Sequence, residues 1–249
     1  MTEQPPDYNL EELMAIVISR EVRDFETIGV GAASPIPAAG SILAEELHAP
    51  HAQIIILGSR EKKYYPFPAG SSELHFIAQR GDLDLFFLSG IQIDRQGNIN
   101  LHVLGDYEDP KMRLPGAYGS ALLYYMAHRV ILFRTEHTPR SFVEKVDFVT
   151  APGVTPANIH REGGPTLVVT PRAILTWDRQ GEEWILEAIH PGSSLEEVKE
   201  NTGFALKASA SVQWTPSPTD RELVTLRTVV REKLKRIYPE FAQKKIRPG

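Results

Sequence analysis

The sequence predicts an α/β protein: an open, mostly parallel sheet in three layers, with helices on both faces and an antiparallel hairpin inserted. Three observations carry this. Short, mostly apolar runs recur in FETIGVGAA, QIIILG, DLFFLSG and RVILF, which is how strands buried on both faces read. Segments of helical period lie between them. One stretch, 91–105, instead alternates apolar and polar residues about a turn, the mark of an antiparallel pair with one wet face. With 249 residues and 42% hydrophobic content, the chain is expected to form one domain over 1–249.

The elements follow in order. NLEELMAIVISREVRD puts Leu10, Leu13, Met14 and Val17 on one face, with Asn9 able to cap and Glu12 three residues on, so an amphipathic helix is predicted. FETIGVGAA reads as a strand opening into a glycine turn, and Ser34-Pro35 as the start of the next helix. QIIILG, DLFFLSG and RVILF are further strands, with SALLYYMAH as a helix before the last. LVVTPRAILTWDRQGEEWILEAIHPG reads as a second antiparallel stretch turning at DRQGEE. Two helices close the chain, over 194–200 and 219–238, each opened by a capping box, Ser194/Glu197 and Thr219/Glu222. Only SVQWTPSPTD is loop-like enough to mark a boundary, and the remaining chain beyond it is too short for a domain.

Composition excludes several function classes. The formal charge is −5, and the 27 basic residues are scattered, which argues against nucleic acid. There are no cysteines, so disulfides and thiolate zinc sites are out. The acidic N-terminus lacks the order of a secretion signal, and the longest apolar region, SALLYYMAHRVILF, is broken by His128 and Arg129. A cytoplasmic protein that does not enter the membrane is expected.

Candidate chemistry is thin by motif alone. GVGAAS, 29–34, follows a strand and precedes a helix, but it lacks the third glycine and the downstream acid of a dinucleotide site. A tight turn with amides facing a ligand remains open. His48 and His51 flank a proline and do not make a metal pair; the eight histidines are expected at the surface or in turns, and no metal is expected. No G-x-S-x-G occurs, which closes the serine hydrolase route. Tyr124 and Tyr125, with Leu122, Leu123 and Met126, read as a helix packed on the sheet. REKK, Arg60 to Lys63, is either a solvated loop or a cationic rim for an anionic cofactor.

Three longer stretches carry a resemblance. DLFFLSGIQIDRQGNINLHVLG resembles the strand–hairpin signature G-A-x-Q-V-D-x-x-G-N-x-N, with Gln92, Asp94, Gly97, Asn98 and Asn100 in matching places. RSFVEKVDFVTAPG is similar to R-x-F-V-x-K-V-D-F-x-T-x-x-G, and HPGSSLEEVKENTGF to H-P-G-x-x-x-E-E-V-x-x-x-T-G-F. The family so resembled is that of the family I CoA-transferase β subunits, the glutaconate and 3-ketoacid enzymes among them. The resemblance implies their α/β fold, an α-type partner subunit in a heterodimer or heterotetramer, and an acyl-CoA thioester as substrate. It also implies a glutamate at the end of the second strand. That carboxylate attacks the thioester to give an acyl-glutamyl anhydride and CoA thiolate. The thiolate then returns to form a glutamyl-CoA thioester, from which the second acid takes the CoA.

In this chain Leu57, Gly58 or Ser59 stands where that glutamate is expected, and the nearest carboxylate, Glu61, comes two or three residues late. Strand residues rise about 3.3 Å each and swap faces, whereas attack geometry tolerates about 1 Å. Glu61 is therefore the candidate nucleophile only if a bulge or turn re-aims it. Gly29 and Gly31 are expected to let the ligand approach the backbone, Gly58 and Ser59 to stand at the nucleophile position, and Gln92, Asp94 and Asn98 to shape the site. DRQGN is also what a tight hairpin requires. The family's Gly-Gly-x-x-D acyl loop is here PGAYGSALLYY: Gly116 and Gly119 remain, Tyr118 intrudes and the acid is gone. A related branch, resembling the ring-cleaving acyl-CoA hydrolases of steroid catabolism, lacks the β-subunit glutamate and uses an α-subunit carboxylate on water. A catalytically silent, CoA-binding subunit is the remaining alternative.

Overall fold

The computed structural model describes residues 7–161 and 163–249. It resolves into two compact units, Met1–Pro68 with Pro216–Gly249, and Ala69–Thr215. The loop-like stretch before Pro216 does mark a boundary, but the chain beyond it returns to the N-terminal unit.

In the first unit, helix α1 (Leu10–Glu21) leads to strand β1 (Thr27–Val30), helix α2 (Pro35–Leu47) and strand β2 (Gln53–Ile56). β1 and β2 pair in parallel, Val30 opposite Ile56. The predicted capping box forms: the Glu12 amide donates to Asn9 Oδ1 at 2.8 Å, and the Asn9 amide donates to Glu12 Oε2 at 3.1 Å. The amphipathic expectation for α1 needs correction. Glu12 to Ser19 are all buried, while Leu10 is 49% exposed. Burial on every side is tolerated because Ala15, Ile16 and Ile18 are apolar and Glu12 is fully satisfied, taking Arg227 Nε at 3.0 Å and the Arg247 amide at 3.1 Å.

The C-terminal arm is helix α6 (Asp220–Thr225), a π-helical stretch Leu226–Val230, helix α7 (Arg231–Leu234) and a separate helix α8 (Pro239–Lys244). Sequence periodicity reads one helix through Tyr238. Pro239 explains the early stop, because it disfavours helical backbone at the residue before it and suits the first turn of α8.

The second unit begins with helix α3 (Ser72–Gln79) and contains strands β3 (Leu85–Leu88), β4 (Gln92–Asp94), β5 (Ile99–Asn100), β6 (Val103–Gly105) and β7 (Pro110–Arg113). Then come helix α4 (Ser120–Met126) and strands β8 (Arg129–Phe133), β9 (Phe142–Val143), β10 (Pro165–Val169), β11 (Ala173–Asp178) and β12 (Glu183–Ile189). Helix α5 (Leu195–Glu200) and strand β13 (Lys207–Trp214) complete it. Six strands neighbour one another in the order β13-β12-β11-β10-β8-β3. β3, β8 and β10 run parallel, β11 reverses, and β12 and β13 run parallel to each other. Two reversals bring β12 back to the direction of β10, so the carboxyl ends of β3, β8, β10 and β12 share one edge.

The hairpin forms as predicted, Gln92 opposite Asn100 and Ile93 opposite Ile99, with β9 parallel on its other side. It is shorter than the alternation implies, since Val103 leaves it to pair with Arg113 in the β6–β7 ribbon. Helix α3 is not anticipated by sequence. Strand β13 corrects the loop reading of SVQW: its alternating alanines and serines are mostly exposed and carry no apolar period, yet Gln213 and Trp214 pair with Ala188 and Ile189.

Candidate active site

The carboxyl end of the β1–β2 pair in the first unit gathers Gly29, Gly31, Gly58, Ser59 and Glu61. Gly29 lies inside β1 opposite Ile55, and Gly31 directly follows the strand. The Leu57 amide donates to Val30 O at 3.0 Å, so the two strand exits run side by side. Between Gly31 and the α2 N-terminus, Ala33 holds φ of 55°, a sparsely populated conformation for a residue with a Cβ. Gly58 leaves β2 with φ of 84°, which glycine adopts without cost.

Beyond Gly58 the backbone closes a turn. The Ser59 amide donates to Ile56 O at 3.1 Å, the Glu61 amide donates to Ser59 Oγ at 3.1 Å, and Glu61 O accepts the Tyr64 and Tyr65 amides. The buried Ser59 side chain is thus an acceptor inside the turn. The Glu61 carboxylate is half exposed and faces Arg236 Nη1 at 3.7 Å, an exposed and therefore weak pairing.

The turn is strapped down by one carboxylate. Glu45, on α2, accepts Lys63 Nζ at 2.8 Å, Lys233 Nζ at 3.2 Å and the Tyr64 hydroxyl at 3.0 Å. Burial works against the Glu45 charge, but the two lysines outweigh it and hold its pKa below the usual carboxylate value. Burial, joined by the Glu45 charge, raises that of Tyr64. Of REKK, Lys63 is spent on this ion pair, and Arg60 and Lys62 stay exposed.

In the second unit Gln92, Asp94 and Asn98 knit the hairpin to the 141–153 stretch. Buried Asp94 takes the Gln96 amide at 3.0 Å and the Asn98 amide at 2.9 Å on Oδ1, and Asn98 Nδ2 at 3.0 Å and the Val146 amide at 3.3 Å on Oδ2. Burial raises its pKa despite these donors. Gln92 Oε1 accepts Asn100 Nδ2 at 2.8 Å and the Asp147 amide at 3.0 Å, and Asn98 Oδ1 accepts the Gly153 amide at 3.0 Å. Asp94 and Asn98 spend both polar atoms of their side chains on the fold around them, and Gln92 its Oε1. Tyr124, a fully buried residue of α4, donates its hydroxyl to Gly97 O at 2.7 Å. Gly116 abuts the same region, its amide donating to Leu101 O at 3.2 Å. Gly119 caps α4 against the His75 ring of α3, and Tyr118 beside it is 67% exposed.

Sequence reading missed two histidines. His48 and His51 are partly exposed and bonded to Val22 O and Asp24, as a surface reading expects. His137 and His190 are buried instead, which corrects that reading for them. His137 lies 2.9 Å from Thr170 Oγ1 and 3.0 Å from Thr202 Oγ1; His190 lies 2.8 Å from Thr215 Oγ1 and 2.9 Å from Thr170 O. Burial lowers the pKa of each to about 4, so both are neutral near pH 7. His190 opens the HPG motif, and nothing local to either residue announces its burial. Among the described residues no group of three or more His, Cys, Asp or Glu is assembled as for a metal ion, and no helix is long and apolar enough to cross a membrane.

Parallel strands whose carboxyl ends open into glycine turns, together with a hairpin locked by Asp94 and Asn98, define an α/β protein of a recognisable class. Residues 16–201 match the Coenzyme A transferase family, and the chain belongs to that family. It is 31% identical to the B subunit of 3-oxoadipate CoA-transferase from Pseudomonas knackmussii, over 89% of this chain and 93% of that one. It is 30% identical to the B subunit of glutaconate CoA-transferase from Acidaminococcus fermentans, over 88% and 91%. The crystal structure of that glutaconate enzyme superposes with a TM-score of 0.79 at 26% identity, covering 98% of this chain and 99% of the other. The IpdB subunit of a cholesterol ring-cleaving hydrolase from Rhodococcus jostii is 30% identical over 56% of each chain.

Proposed function

We propose that this chain is the β subunit of a heteromeric CoA-transferase, working with an α-type subunit as a heterodimer or heterotetramer on an acyl-CoA thioester in the cytoplasm. Residues 1–249 act together as one β-subunit-like module in this reading. Coenzyme A enters as part of the substrate, and no metal is needed. The observation that supports it most is the near full-length likeness to the B subunits of two CoA-transferases. The glycine exits at Gly29, Gly31 and Gly58 offer backbone to a ligand. Glu61 is the one carboxylate between Gly58 and Tyr65. To serve as the nucleophile it need only leave a single long contact to an exposed arginine.

A second reading has its own support. The Glu61 amide and carbonyl are committed to the turn and its carboxylate faces Arg236, while Ser59, nearer the strand exit, is an internal acceptor. In that reading the complex hydrolyses or cleaves its acyl-CoA with a carboxylate of the α subunit, as the likeness to the IpdB subunit would suit. The test is co-expression with the α-type subunit, addition of an acyl-CoA and an acceptor acid, and trapping with borohydride or hydroxylamine. An adduct on Glu61 supports transfer, and thiol release without an adduct on this chain supports hydrolysis. Bound CoA without turnover would mean a silent subunit and defeat both.

A further inference from the structure

The carboxyl end of β8 carries a cation whose surroundings leave it under-served. Arg134 follows Phe133 directly, and its amide donates to Val169 O at 3.0 Å, which fixes the backbone between the ends of β8 and β10. Its side chain is only 24% exposed. Within that enclosure Nε is buried and has no acceptor among the described residues. Among the described residues the acid that pairs with it is Glu136, 3.5 Å from Nη2, and it is already committed. Glu136 accepts Arg140 Nε and Thr138 Oγ1 on Oε1, and Arg140 Nη2 at 3.1 Å on Oε2. The Arg140 and Thr138 hydrogen bonds hold the Glu136 pKa at about 2, so this carboxylate stays ionised and bound to its other partners. Burial lowers the Arg134 pKa, and the nearby Glu136 charge offsets that pull only in part.

A desolvated guanidinium is costly unless matched by an anion, and its planar fork fits the two oxygens of a carboxylate or phosphate. In open α/β sheets the carboxyl ends of the strands are where ligands lie. We propose that Arg134 is an anion-binding residue of this edge, taking a carboxylate or phosphate group of the bound ligand through its unfilled donors. The proposal rests on the acyl-CoA reading above only for the identity of that ligand. A carboxylate would come from the acid, a phosphate from the CoA.

The test is calorimetric titration of the co-purified αβ complex, wild type, Arg134→Met and Arg134→Lys, with four probes: glutarate, butyrate, CoA and dephospho-CoA. Loss of charge-assisted hydrogen bonds lowers affinity roughly 10- to 100-fold. If the anion is a carboxylate, Arg134→Met loses that much for glutarate and butyrate and nothing for CoA or dephospho-CoA. If it is a phosphate, the loss falls on CoA and spares both acids; it extends to dephospho-CoA when the diphosphate is held and not when the 3′-phosphate is. Arg134→Lys, which keeps charge without the fork, lies between. Removing an under-paired buried cation is expected to leave the melting temperature unchanged or raised. Equal affinities of wild type and Arg134→Met for all four probes, or a lowered melting temperature with every affinity ratio preserved, overturn the proposal. A wild-type complex that binds glutarate in an Arg134-dependent way but no CoA keeps the anion site and removes the acyl-CoA reading.

Discussion

His137 and His190 are joined through Thr170: His137 Nδ1 is 2.9 Å from the threonine hydroxyl, and His190 Nε2 is 2.9 Å from its carbonyl. A carbonyl only accepts, so His190 carries its proton on Nε2 and its Nδ1 accepts from the Thr215 hydroxyl. The cluster ties the ends of β10 and β12 to the segments after β8 and α5 by neutral side chains. Both pKa values fall from 6.5 to about 4 on folding. Between those limits the unfolded chain binds more protons, so stability is full above about pH 6.5 and falls as pH drops toward 4. A fall from 6.5 to about 4 corresponds to roughly 3 kcal/mol for each histidine. Urea unfolding at pH 7.5 and pH 5 should show the loss, and His137→Gln should flatten the slope. A slope unchanged in that variant would contradict the account.

Asp94 is predicted to be structural in its effect on stability. Replacing it by Asn turns an amide group toward donors, since the Oδ2 position faces both Asn98 Nδ2 and the Val146 amide. An unmatched buried donor costs about 1–3 kcal/mol, so the urea midpoint of Asp94→Asn should fall accordingly. A midpoint equal to the wild type would show that the hairpin does not depend on this acceptor.

Two glycines should respond differently to alanine. A Cβ at Gly40 would stand 2.6 Å from Ile18 Cγ2 and 2.7 Å from Ala15 O, because α1 and α2 approach closely there. Overpacking of that kind costs about 1–3 kcal/mol. Gly58 has open space around its Cβ direction, so Gly58→Ala bears only the left-handed backbone penalty of about 1–2 kcal/mol. Thermal melts in a double-variant cycle, with Gly40→Ala plus Ile18→Ala losing less than the sum of the two single losses and Gly58→Ala plus Ile18→Ala simply additive, would separate close packing from backbone strain.

Arg227 and Glu12 join the C-terminal arm to α1, with Nε to Oε1 at 3.0 Å and Nη2 to Oε2 at 3.1 Å. Arg227→Met strands a buried charge and should cost about 3–5 kcal/mol, largely restored by adding Glu12→Gln. Chemical denaturation of the two variants reads this directly, and a single variant as stable as the wild type would refute it.

Much of this architecture is legible locally. The capping boxes at Asn9/Glu12, Ser194/Glu197 and Thr219/Glu222 all form, because a cap needs only residues within one turn. The apolar strands and the DRQGN hairpin are likewise short-range signals. The features that escaped depend on partners far along the chain. Glu12 looks like a solvated helix residue until Arg227 arrives, the histidine cluster is drawn from segments between 137 and 215, and Gly40 acquires its meaning only from Ile18. β13 has no periodic face to read, since its exposed alanines and serines are held by backbone pairing to β12. At the strand exits, sequence isolates Gly58, Ser59 and Glu61, while the strap from Glu45 to Lys63, Tyr64 and Lys233 emerges from the tertiary fold.

In the proposed reading, acyl-CoA chemistry on this chain runs through the Glu61 turn. Peptide mapping by mass spectrometry after hydroxylamine trapping of the turning-over αβ complex tests it most directly. The account predicts a modified peptide spanning Glu61 that disappears, together with CoA transfer, in Glu61→Gln. Undiminished transfer in Glu61→Gln, with no modification anywhere on this chain, would contradict it.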